Sequence, residues 1–194
     1  MSRNVRANNR FRQDEGFSAL ELLMTVGIMG VLMSMAVFQI GQSLPGYRGD
    51  GGMRIVIAQI NTARELAITQ RRKMRLTFTN GNKVSIIREE VTTPATTTTL
   101  SSVLLEGGEG FNLASGVPDT PDAFGNSSAT YFGTATQIKF DTDGSLTDQS
   151  GFTLNGSVFV SLANQPRSLR AVTVLGSTGR VRGYRWDGTR WKLV

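Results

Sequence analysis

The sequence predicts an α+β protein in two parts. An N-terminal transmembrane helix precedes a globular head in which one helix packs on antiparallel β-sheet. Three observations predict this. Phe17 to Ile40 is a run of 24 residues with one ionisable group, Glu21. Downstream, Met53, Val56, Ile60, Ala63 and Ala67 recur at helical spacing. From Lys73 onward, short runs rich in β-branched residues alternate with Asn-Gly, Asp-Gly and Gly-rich turns.

The boundaries follow from these shifts in pattern. Residues 1–16 are a basic leader carrying Arg3, Arg6, Arg10 and Arg12. Residues 17–40, as a helix, span about 36 Å at about 1.5 Å per residue, enough for a hydrocarbon core of about 30 Å. The C-terminal flank is sparser in cations, with Arg48 and Arg54. The excess of arginine before the helix therefore predicts an N-terminus in the cytoplasm and a head outside it. A secretory signal is usually cut after a shorter apolar stretch, at small residues, and no such site follows Ile40. The distinctive position for a cut is before the run, between Gly16 and Phe17, which leaves the helix on the mature chain. Residues 41–52, GQSLPGYRGDGG, read as a Gly/Pro linker that breaks the helix. The head then occupies 53–194 and opens with a second helix over 53–72.

In the head, MRLTF and KVSII flank Asn80-Gly81, a strong hairpin signal. The Thr-rich segment 92–102 contains Pro94 and reads as an exposed loop running into an edge strand. Residues 107–136 are rich in Gly, Ser and Asp and read as long loops. QIKFDTDGSL reads as strand, turn and strand, and SVFVSL and LRAVTVL as further strands. Asp141-Thr142-Asp143-Gly144 is oxygen-rich, as calcium loops are. It lacks the remaining EF-hand ligands, so an Asp-Gly turn is expected and no metal.

Composition narrows the function. The chain has 194 residues, a net charge of +6, and neither Cys nor His. Disulfides, thiolate and imidazole metal ligands, and His-dependent catalysis are excluded. No cofactor motif and no catalytic residues are expected. A modest basic excess favours anionic partners without selecting one.

The cations concentrate at the C-terminus. From Gln165 onward lie Arg167, Arg170, Arg180, Arg182, Arg185, Arg190 and Lys192, against one acid, Asp187. A two-residue turn at Asp187-Gly188 would pair Arg185 with Arg190 and Tyr184 with Trp191. Tyr184, Trp186, Trp191 and Leu193 then share a core-facing side, and Arg185, Arg190 and Lys192 share the other. Arg185 opposite Arg190 is a repulsive pair that an anion would relieve, and phosphate backbones are natural ligands for such a cluster.

Gly16-Phe17-Ser18-Ala19-Leu20-Glu21, preceded by a basic leader and followed by a membrane-length helix, resembles the class III signal of type IV pilins and type II secretion pseudopilins. TARELAITQRRKMRLTF, IKFDTDGSL and VTVLGSTGRVRGY are similar, in order, to the H-type pseudopilin family, which includes the FimT-like minor pilins. The resemblance implies a pilin-like fold and a structural subunit of a type IV pilus or secretion pseudopilus, resident first in the inner membrane. It implies cleavage between Gly16 and Phe17 by a prepilin peptidase, N-methylation of Phe17, and other pilins or pseudopilins as partners through the helix. Glu21 would then pair with a neighbouring subunit's new α-amino group, since a carboxylate in a bilayer is costly unless paired. Many members carry a Pro midway along the helix, where this chain has Phe38. Gly179-Arg180-Val181-Arg182 matches a motif associated with DNA binding in FimT-like pilins. The alternative function is therefore capture of duplex DNA for uptake, with Arg180, Arg182, Arg185, Arg190 and Lys192 as the contacts. A membrane-anchored enzyme is the third and weakest expectation.

Overall fold

A computed structural model describes residues 17–194. The described residues divide into two compact units, with the boundary between Gln42 and Ser43. Ser18 precedes a long helix, α1 (Ala19–Gln70), and its Oγ accepts the Leu20 N–H at 3.3 Å. Ser, one residue before the first helical position, satisfies one of the amide donors that a helix start leaves open. In the first unit every residue of α1 is exposed, and an 18-residue window of this apolar stretch has a mean hydropathy of 2.0. The hydroxyls there fold back on the helix: Thr25 donates to Leu22 O at 2.9 Å and Ser34 to Val31 O at 2.7 Å. These two hydroxyls are thus satisfied within the helix.

In the second unit, α1 buries Met53, Val56, Ile60, Ala63 and Ala67, the face that the spacing picks out. This stripe packs on two antiparallel sheets. The strands, in chain order, are β1 (Met74–Thr79), β2 (Lys83–Glu89), β3 (Thr97–Leu104), β4 (Glu109–Gly110), β5 (Thr130–Tyr131), β6 (Ile138–Phe140), β7 (Leu146–Thr147), β8 (Gly156–Leu162), β9 (Arg170–Leu175), β10 (Arg180–Trp186) and β11 (Trp191–Leu193). One sheet has the order β3-β2-β1-β6-β7; the other runs β11-β10-β9-β8-β4, with β5 also pairing β8. Met74, Leu76, Ile86 and Phe140 from the first sheet and Val158, Val160, Val172 and Val174 from the second close the core under the helix. An α+β head with one helix on antiparallel sheet is therefore present.

Local chemistry explains the hairpins. Asn80 and Gly81 both take positive φ in the β1–β2 turn, which Asn and Gly tolerate best. The Thr-rich strand β3 lies at the sheet edge, as β-branched residues after Pro94 predict. Between β6 and β7, Gly144 has φ 82° and donates to Asp141 O at 2.9 Å, while the Asp143 carboxylate accepts from the Ser145 N–H and hydroxyl. This is the expected turn.

Two expectations are corrected. Segment 41–52 does not break the helix: it is helical throughout, Pro45 included, so the two helices expected over 17–40 and 53–72 are one, α1 (Ala19–Gln70). Proline removes one helical hydrogen bond, at a cost of about 3 kcal/mol or more in an unsupported helix. Here the following turn is clamped from outside, because Arg170 Nη2 donates to Gly46 O at 2.8 Å and Arg48 Nη1 to Gly107 O at 3.3 Å. The glycines serve contact rather than interruption. A Cβ on Gly49 would collide with the Ser168 carbonyl, and one on Gly52 with the Glu109 carboxylate.

The C-terminal hairpin is also re-registered. Trp186 pairs with Trp191, Arg185 with Lys192, and Tyr184 with Leu193. The loop therefore has four residues, 187–190, and Arg190 lies in it. The Asp187 side chain decides this, since its Oδ1 accepts the N–H groups of Thr189 at 2.9 Å and Arg190 at 2.8 Å. A shift of two residues preserves the faces. Tyr184, Trp186 and Trp191 are buried as expected, but Leu193 is exposed. Together with Phe159, Leu169 and Ala171 the aromatics form a second core on the outer face of the second sheet, covered by Leu113, Ala114 and Val117. Part of the long segment 107–136 thus covers this face. Trp191 Nε1 donates to Pro118 O at 2.9 Å, which fixes it in place.

The contrast between neighbouring glycines is measurable. Gly49→Ala should lower stability by about 1–3 kcal/mol through overpacking, despite the better helix propensity of Ala. Gly51→Ala, where an added Cβ meets nothing within 4 Å, should raise it by up to about 1 kcal/mol. Thermal unfolding of the full chain in neutral detergent compares them. Equal effects of the two changes would contradict the packing role.

Candidate functional site

The first candidate site is the start of α1. Phe17 is exposed and lies two residues before the helix, and Glu21 is the acid of its first turn. A carboxylate there interacts favourably with the positive end of the helix dipole. Ser18-Ala19-Leu20-Glu21 also has the Ser-x-x-Glu spacing of a capping box, a signal that reading Glu21 only as a membrane anomaly overlooks. Gly16 and the leader arginines Arg3, Arg6, Arg10 and Arg12 lie outside the described residues.

The second is the basic C-terminus, where most of the expected surface charge is already paired. Arg170 is 1% exposed, so it is a core residue and not part of a basic face. Its Nε donates to Asp50 Oδ1 at 2.6 Å, its Nη2 to Gly46 O, and its Nη1 to Arg167 O at 3.0 Å and Leu169 O at 2.9 Å. Arg185 Nη2 reaches the other Asp50 oxygen at 2.7 Å. One helical carboxylate therefore binds two arginines from the second sheet. Burial opposes ionisation of Asp50, but hydrogen bonding and charge from Arg170, then Arg185, outweigh it and hold the carboxyl below its usual range.

Arg182 is bound by Asp122, in the 107–136 cover, at 2.7 Å. The same carboxylate accepts from Thr173 Oγ1 at 2.6 Å and Tyr184 OH at 2.9 Å. Here too burial is outweighed, by bonds from Thr173, Tyr184 and Arg182, and the carboxyl sits below its usual range. Lys192 and Arg190 both lie near Asp187, at 3.1 Å and 3.6 Å. The N–H groups of Arg190 and Thr189 hold that acid strongly ionised. The like-charge cross-strand pair is thus Arg185–Lys192 rather than Arg185–Arg190, and Asp50 and Asp187 relieve it from within the chain. Of the five residues expected to meet DNA, only Arg180 has no ion pair among the described residues. Sequence reading missed Asp50 and Asp122 because both lie far from their partners along the chain, in segments read as linker and loop.

Glu109 is a third site that the sequence did not point to. It is 3% exposed, beside Gly52 of α1 and at the β4–β8 pairing, and its Oε1 has no hydrogen-bond partner. Burial pushes its pKa up to about 7, against a bond from the Gly52 N–H and the charges of Arg170 and Arg48.

Comparison of the chain with protein-family models, with curated proteins and with solved structures finds no match. What its own geometry defines is a helix long and apolar enough to cross a membrane, and an α+β head in which most cations of the C-terminal strands are paired with Asp50, Asp122 or Asp187.

Two measurements check these sites. The raised Glu109 pKa means that the fold holds a proton the unfolded chain releases near 4.5. Its contribution is complete below that pH and is lost as pH rises to about 7, a fall on the order of 1–3 kcal/mol. Glu109→Gln should remove this slope in denaturation measured from pH 4 to pH 8; an unchanged slope would assign it elsewhere. Arg170→Met should cost about 3–5 kcal/mol, because it removes the buried partner of a partly buried carboxylate. A loss below about 1 kcal/mol in urea denaturation would contradict the clamp.

Proposed function

We propose that the chain is a minor pilin or pseudopilin, a structural subunit made as a precursor and assembled into a type IV pilus or a type II secretion pseudopilus. In this reading a prepilin peptidase cuts between Gly16 and Phe17 and methylates Phe17. The helix anchors the subunit in the inner membrane with the head outside, and neighbouring subunits later replace the lipid around it. The observation that carries the proposal is where α1 starts. Cleavage would leave only Phe17 and Ser18 ahead of the helix, and the one carboxylate of the apolar stretch lies in its first turn. A free α-amino group would form within a turn of Glu21, so parallel neighbours have an amine and a carboxylate to exchange. The fully exposed apolar surface of the same stretch supports packing against like helices once lipid is left behind.

Internal pairing of Arg182, Arg185, Arg190 and Lys192 favours this structural role over duplex-DNA capture. No reaction is assigned to the chain.

Intact-mass measurement on the protein from cells expressing a prepilin peptidase should show loss of residues 1–16 and one added methyl group. Glu21→Ala should leave membrane insertion intact and abolish recovery in filaments. An uncut N-terminus, or normal filament incorporation of the Ala variant, would refute the proposal. In a gel-shift series of the full chain against duplex DNA, no shift at physiological salt is expected. A shift there that disappears in Arg180→Gln would favour the uptake role.

A further inference from the structure

Glu109 is carried by a short segment with few attachments of its own. Residues 106–110, Glu-Gly-Gly-Glu-Gly, connect two anchored positions. Leu105 is buried, and its N–H donates to Asn82 O at 2.7 Å. The Phe111 N–H donates to Gly81 O at 2.5 Å, and the Phe111 ring meets Phe78 edge-on at 5.2 Å. Both anchors therefore rest on the β1–β2 turn. Between them, Gly107 and Gly108 are exposed and take φ of 73° and 83°, the left-handed region that glycine enters freely. The pair leads into β4, which is two residues long and lies at the edge of its sheet, with Glu109 opposite Leu162 and Gly110 opposite Ser161. From outside, Arg48 Nη1 donates to Gly107 O at 3.3 Å. A glycine hinge before so short an edge strand opens at less cost than the strands around it.

The Glu109 side chain seats this segment. It enters the seam between α1 and β8, where a Cβ on Gly52 would meet both the Glu109 carboxyl group and Val160. The Gly52 N–H donates to the carboxyl group, but Oε1 has no partner. A neutral carboxyl group fits such a place, whereas a carboxylate with an unbonded oxygen is costly there. The charges nearby do not cancel that cost. From α1, Arg48 directs its bond to Gly107 O, and Asp50 repels a second anion. From the second sheet, Arg170 is already committed to Asp50 and three carbonyls. On β8, Val160, Ser161 and Leu162 carry no titratable group, and Glu106 of the segment itself is exposed. We propose that residues 106–110 form a proton-operated flap: neutral Glu109 seats it against Gly52 of α1, and loss of the proton releases it into solvent about the Gly107-Gly108 hinge. The flap belongs to the head alone and does not depend on the filament reading.

The direction with pH follows. Seated, Glu109 keeps its proton up to about pH 7; released into water, its carboxyl group titrates near 4.5. Release is therefore pH-independent below about 4.5, rises toward pH 7, and levels off above it. The test is hydrogen exchange by mass spectrometry on the full chain in neutral-detergent micelles, corrected for the chemical pH dependence of exchange. Between pH 5 and pH 7, protection of peptides covering 106–110 and 49–54 should fall at least about tenfold, while β9 and β10 stay protected. Glu109→Gln should remove this dependence and Glu106→Gln should keep it. Arg48→Gln, which loses the bond to Gly107, should raise exchange at every pH without changing its slope. Should Glu109→Gln fail to fold, the wild-type pattern and the Arg48 and Glu106 variants decide. The proposal is overturned by pH-independent protection of 106–110, by a slope that survives in Glu109→Gln or vanishes in Glu106→Gln, or by loss of protection spread equally over the whole head.

Discussion

One buried guanidinium pins the second sheet to the helix where the apolar stripe gives way to glycine. Arg170 occupies a position where a strand residue would ordinarily be apolar, and it spends its donors on Asp50 and on three backbone carbonyls. A buried charge is costly unless fully bonded, and this one is bonded to groups that themselves need donors. Gly46 lies just after Pro45, so the same side chain anchors the helix directly beyond the residue that interrupts its hydrogen bonding. Arg185 then joins through the second oxygen of Asp50, and the C-terminal hairpin is tied to the same point.

That constraint also explains which parts of the fold were legible beforehand. The apolar stripe Met53-Val56-Ile60-Ala63-Ala67 and the strand runs were readable because periodicity is local and burial enforces it. The Asn80-Gly81 and Asp143-Gly144 turns were readable because their backbone angles favour these residues. The continuity of α1 was not: Gly and Pro signal interruption locally, and only contacts with Ser168, Glu109 and Arg170, more than fifty residues away, reverse that signal. The hairpin register failed for a similar reason. Asp-Gly commonly closes a two-residue turn, but here the aspartate caps the loop through its side chain.

For the candidate sites, the same division applies. Gly16, Phe17 and Glu21 are close in sequence and were read together; of these the structure describes Phe17 and Glu21, at the start of α1. The basic tail was overread, because charge along a strand is visible in sequence while the acids that neutralise it are not. Asp122 illustrates this best. It sits in a Gly- and Ser-rich stretch without periodicity, yet it receives Arg182, Thr173 and Tyr184 together. Conversely, Arg64 lies off the apolar stripe of the helix, yet its stem packs on Gly179 and its Nε donates to Gly144 O, contacts that no local pattern announces.

Both tryptophans of the chain, Trp186 and Trp191, lie in the outer aromatic cluster, with ring centroids 5.2 Å apart and planes inclined at 59°. The helix–sheet core contains neither. Intrinsic fluorescence therefore reports on one face of one sheet and on the cover from Leu113 to Val117, and is blind to the seam between helix and sheets. The molecule carries a built-in optical label for the detachment of that cover, separable from melting of the rest, and the close, tilted ring pair adds an exciton signature in circular dichroism that vanishes when either indole moves away.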